Sequence, residues 1–115
     1  MSHETYEVSR LEGNILLDKY ACKIKQCRQN PSVLHITLGQ DAELVMSEFL
    51  AEHDIIGDIC IYTVHFGHAI FYINGDKEDI NPHMLSNIPF DERVCIINPR
   101  KEDLIFTCMV CGLKK

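Results

Sequence analysis

The chain has 115 residues, 46% hydrophobic and 24% charged, a balance that suits one globular domain burying about two-thirds of the surface its unfolded chain exposes. Its formal net charge of −6 argues against a nucleic-acid binder, which would carry a basic face. The polar start Met1-Ser2-His3-Glu4-Thr5 lacks the apolar core of a signal peptide, and the apolar run 55–73 is interrupted by Gly57, Asp58, His65, Gly67 and His68, which excludes a membrane span.

These features predict one domain over residues 1–115 in the cytoplasm, where the six cysteines stay reduced unless they bind metal or do redox work. The positive residues cluster at Lys19, Lys23, Lys25 and Arg28, at Arg100 and Lys101, and at Lys114 and Lys115. They are expected to be solvated surface.

In chain order, the first element expected is a helix over residues 14–28. Leu16, Leu17, Tyr20, Ala21, Ile24 and Cys27 fall on one stripe at helical spacing. Asn14 would cap it, with Ser9 and Glu12 as a competing capping box upstream, and Asn30-Pro31 would end it. Residues 33–38 alternate as a strand. A second helix is predicted over 41–53, where Ala42, Val45, Met46, Phe49 and Leu50 repeat at core-facing spacing. A hairpin is expected next, residues 60–66 pairing with 69–74 across Gly67-His68, followed by a turn at Asn74-Gly75. A short helix is expected over 81–87. Two strands close the chain, 93–97 and 104–110, joined by the polar turn 98–103.

This order predicts an α+β fold: a two-layer sandwich with about five strands in a mixed sheet and two main helices on one face. Two helices cover one sheet face and leave the other over. Alternation separates the two. Cys60, Tyr62, Val64, Phe66, Ala69, Phe71 and Ile73 belong under the helices, with Leu34, Ile36, Leu38, Leu104, Phe106, Cys108 and Val110. The second face collects Val33, His35, Thr37, Ile61, Thr63, His65, Ile70, Tyr72, Thr107 and Met109. It is semi-apolar and carries no formal charge, which suits a homodimer or protein-partner interface or a shallow ligand site. His35, Thr37, Thr63, His65, Tyr72 and Met109 are its candidate contact residues.

The sharpest chemical motif is Cys108-Met109-Val110-Cys111-Gly112, which has the form of half a zinc knuckle. Zinc, or a thiol function of Cys108 and Cys111, is therefore the alternative to the interface. Cys22 and Cys27 would point apart on a helix and make a poor second half-site, while His65 and His68 flank the hairpin turn and could substitute. A redox role for the thiol pair is disfavoured, because no helix N-terminus follows it to lower a thiol pKa. His35 and His65 are the acid–base candidates for an enzyme, but no carboxylate is placed to orient either ring. The run Asp76-Lys77-Glu78-Asp79 lacks the glycine and distal Glu of a calcium loop and reads as a solvated loop. The expectation is a non-catalytic domain without a resident cofactor, acting on a partner through its open sheet face.

Overall fold

Alternation with a period of two governs more of this chain than the sequence reading allows. The computed structural model describes residues 13–82 and 84–112. The Ser9–Glu12 capping box, Lys114 and Lys115 lie outside them.

The predicted first helix is instead a hairpin of β1 (Gly13–Lys19) and β2 (Cys22–Cys27). A bulge between Ile15 and Leu17 shifts the register, so the adjacent Leu16 and Leu17 both pack against the core. Two consecutive inward residues imitate a helical stripe. Tyr20, which a helix would have buried, stands fully exposed at the turn. The strand β3 (Val33–Leu38) forms where expected.

The second predicted helix shortens. β4 (Glu43–Val45) occupies its start, and α1 (Met46–Glu52) follows. Asp41 has φ 60, a left-handed conformation in which no helix can begin. The inward residues of the helical stripe hold: Met46, Phe49 and Leu50 are buried.

The expected hairpin around Gly67-His68 does not pair. β5 (Ile59–Phe66) lies between two strands of one sheet, while β6 (Ala69–Ile73) belongs to the other. Gly67-His68 carries the chain across. Asn74-Gly75 is a true hairpin turn, with φ 53 and 92, joining β6 to β7 (Asp76–Ile80) in register Ile73↔Asp76. The acidic run read as a loop is thus an edge strand, its charges guarding an open edge. The predicted helix at 81–87 is replaced by β8 (Leu85–Pro89), which pairs with β5. β9 (Val94–Ile97) and β10 (Leu104–Cys111) form as expected but in different sheets.

The strands make two antiparallel sheets, of order β1-β2-β3-β10-β5-β8 and β4-β9-β6-β7. The α+β sandwich with two main helices is therefore corrected to a β-sandwich with one short helix. The second layer that covers the apolar face is a sheet, not a pair of helices. Between the layers lie Ile24, Leu34, Ile36, Leu38, Val64, Ile96 and Leu104, all buried. An aromatic cluster fills the middle. Tyr62 meets Phe71 edge-on at 5.0 Å, and Phe106 stands 6.4 Å from both. Such pairs add to area burial. Among the described residues, no helix is long and apolar enough to cross a membrane.

Candidate functional site

The strand order decides which candidate residues meet. β10 lies between β3 and β5, so Thr107 pairs with His35 on one side and Thr63 on the other. Lys25 continues this row on β2 and Leu85 on β8. In the next row Met109 lies between Val33 and Ile61. His35, Thr37, Thr63, His65 and Met109 thus share the outer face of the six-stranded sheet, as alternation predicted. Tyr72 does not join them. It pairs with Cys95 and Lys77 in the other sheet.

A bulge in the β5–β10 pairing lies at His65. It lets the His65 ring lean onto β10, where Nε2 and Thr107 Oγ1 share a hydrogen bond of 3.3 Å. Partial burial of the His35 ring, with smaller contributions from His65 and Lys25, holds His35 below the usual imidazole range. His35 and His65 are separated by the whole of β10, roughly 9–10 Å of sheet.

The cysteine candidates separate. On the continuous strand β10, Cys108 and Cys111 stand three residues apart and project to opposite sheet faces. Cys108 is buried in the core and Cys111 is half-buried outside it. The thiol that does meet Cys108 is Cys60, from the neighbouring strand. A hydrogen bond to Cys60, then burial, pushes the Cys108 thiol well above its usual range, and burial does the same to the Tyr62 phenol beside them. The three form a buried polar cluster inside the sandwich. Among the described residues, no group of three or more His, Cys, Asp or Glu side chains is placed to hold a metal ion.

A second feature had no counterpart in the sequence reading. At one end of the sandwich an open cleft of about 470 Å³ is lined by His65, Phe66, His68, Asn81, Arg100 and Glu102. Its walls are tied to one another. His68 Nδ1 lies 2.7 Å from Asn81 Oδ1, and its Nε2 lies 3.2 Å from Asp79 Oδ1. The loop bearing Arg100 and Glu102 hangs on Asn98, whose side chain donates to the Leu38 and Glu102 carbonyls at 2.9 and 2.7 Å and accepts from the Arg100 amide at 3.0 Å. Gly67 has φ 93, and a Cβ there would lie 2.7 Å from the Asp103 carbonyl oxygen, so the crossing strand can approach this loop only as glycine. The polar run 98–103 marks a turn in the sequence, but nothing local marks Asn98 as buried.

The space between the sheets, by contrast, is taken by side chains. Beside Cys60 and Tyr62 a crevice reaching out to Glu92 has about 10 Å³ of room, roughly that of one water molecule.

No family model and no curated protein sequence matches this chain. Solved structures do. A predicted oxalate decarboxylase from Thermotoga maritima superposes with a TM-score of 0.63 at 13% identity, over 91% of this chain and 97% of that one. A Cupin 2 conserved barrel domain protein from Salinispora arenicola gives 0.58 at 10% identity, over 88% and 75%. The Streptomyces protein PAC13, solved with uridine, gives 0.59 at 15% identity, over 92% and 81%. At these identities the likeness establishes the fold: a cupin-like double-stranded β-helix, two antiparallel sheets closing on a shared core.

Proposed function

We propose that this chain is a non-catalytic binding domain of the cytoplasm that works through the outer face of its six-stranded sheet, on which a second copy of the chain docks. The observation that carries the reading is the cross-strand row His35–Thr107–Thr63, with Val33–Met109–Ile61 beside it. Across β3, β10 and β5 these two rows carry no formal charge, in a chain whose net charge is −6, and Lys25 follows only at the β2 end of the first. Solvated sheet faces are normally studded with Lys and Glu, whereas charge-depleted, semi-apolar surface is the composition of an interface core. Met109 and Leu85 are 37% and 69% exposed and supply apolar area at the centre and rim. An isologous contact pairs this patch with itself, and an uncharged patch does so without self-repulsion.

Two further observations support binding over catalysis. Among the described residues, the layer between the sheets is built of buried aromatic and aliphatic side chains rather than of the polar groups that an enzyme site brings together. His35 and His65 lie on either side of β10, with Thr107 between them, rather than facing each other across a cleft. The six cysteines form no disulfide, which fits a reducing compartment.

Native mass spectrometry of protein purified under reducing conditions, without added metal, reads oligomeric state and bound mass together. A dimer without added mass that becomes monomeric in Met109→Glu supports the reading. A monomer overturns it, with or without a bound metal ion.

A further inference from the structure

We infer that the cleft at the end of the sandwich binds a small zwitterion, a molecule of the amino-acid type whose carboxylate meets Arg100 and whose ammonium group meets Glu102. Both side chains line the same cleft. They stand two residues apart in one loop, yet among the described residues neither makes an ion pair or a side-chain hydrogen bond, with the other or with anything else. Opposite charges in one concavity, without a partner among the described residues, are complementary to a ligand that carries both signs. A simple anion attracted by Arg100 would meet the Glu102 carboxylate, and a simple cation attracted by Glu102 would meet the guanidinium.

The loop is held for this task rather than free to collapse. The buried Asn98 side chain grips the backbone at both Arg100 and Glu102, so the stretch of chain that carries the two exposed side chains is held in place and less backbone entropy is lost when a ligand arrives. The lining at His68 is fixed as well, because Asp79 and Asn81 engage both of its ring nitrogens. That engagement occupies the His68 ring and leaves Arg100 as the cation for the ligand. Phe66, 46% exposed, and Pro82 give the cleft an apolar side against which a ligand's hydrocarbon tail can lie.

The test is a titration of the nitrogen-15-labelled 115-residue chain followed by amide chemical shifts. The probes are L-leucine and L-glutamine, with isocaproate and isoamylamine as half-ligands that keep the leucine tail and one charge each. The expected result is saturable movement of the Gly67, His68, Arg100 and Glu102 amides with at least one amino acid. Both half-ligands should bind at least about tenfold more weakly, the scale of one lost charge-assisted contact. Arg100→Gln and Glu102→Gln should each weaken binding by about the same factor while the rest of the spectrum is unchanged. Silence with both amino acids overturns the assignment. So does isocaproate binding as well as leucine, which marks a simple anion site, or full affinity in both variants. His65 borders both surfaces, but the amides read here lie on the crossing 67–68 and the loop 98–103, so the shift titration tests the cleft and the mass spectrum tests the sheet face.

Discussion

Asn98 donates from Nδ2 to the carbonyl oxygen of Leu38, 60 residues earlier in the chain, at 2.9 Å. The bond ties the end of β3 in one sheet to the loop that leaves β9 in the other. Asn98 is buried completely, and its side chain also holds the Arg100 amide and the Glu102 carbonyl. Asn98→Ala leaves these groups without their partner and is expected to destabilise the fold by about 2–4 kcal/mol, in the upper range for a buried hydrogen-bond hub. Asn98→Asp should be worse near neutral pH, because a carboxylate would face two carbonyl oxygens. Urea unfolding of the two variants checks both the size and the order.

Gly67 and Gly75 have nearly the same backbone angle, φ 93 and 92, but different surroundings. A Cβ at Gly67 meets the Asp103 carbonyl oxygen at 2.7 Å, and one at Gly75 meets nothing within 4 Å. Gly75→Ala is therefore expected to cost about 1 kcal/mol, the conformational penalty alone. Gly67→Ala adds a backbone clash and should cost about 2–3 kcal/mol. Equal midpoints in parallel denaturation curves would show that the loop yields to the methyl group.

His35 predicts an acid-sensitive fold. Burial, with His65 and Lys25 nearby, lowers its folded-state pKa below the ordinary 6.5. The unfolded chain therefore takes up the proton first as pH falls, and in that interval stability rises with pH. The contribution is whole above about 6.5 and is lost as pH falls through that value to the folded-state pKa. His35→Gln should flatten this part of the profile, read as a smaller drop in the urea midpoint between about pH 8 and about pH 5. An unchanged drop would assign the acid sensitivity to other groups.

The thiols should divide by depth. Cys60, Cys95 and Cys108 are buried, while Cys22, Cys27 and Cys111 are half-buried. A thiol reagent applied to the native protein is expected to label the second group first, with Cys22 slowed because burial raises its thiol pKa. Cys108, held as a thiol by its bond to Cys60, should react only as fast as the protein opens. Time-resolved peptide mapping separates these sites. Labelling of Cys108 and Cys111 at one rate would mean that β10 is not a closed core strand.

Alternation made Val33–Leu38, Ile59–Phe66 and Leu104–Cys111 legible as strands, because a half-buried strand writes its two faces directly into the residue order. For the same reason the apolar set Leu34, Tyr62, Val64, Phe106 and Cys108, and the outer set His35, Thr37, Thr63, His65 and Met109, were already separable. Local pattern could not name partners. Gly67-His68 has the form of a hairpin turn, yet β5 pairs with β10, some 40 residues further on, and β6 pairs elsewhere. An inward-facing alternation looks the same whether the covering layer is helix or sheet. The bulge in β1 disguised a strand as a helix, and the charges of β7 disguised an edge strand as a loop. Which outer residues become neighbours was likewise a matter of strand order, and this is why Tyr72 separated from His35. The cleft was invisible for a stronger reason. Its residues come from the β5–β6 crossing, the end of β7 and the loop 98–103, and only the closure of two sheets over one core brings those segments together.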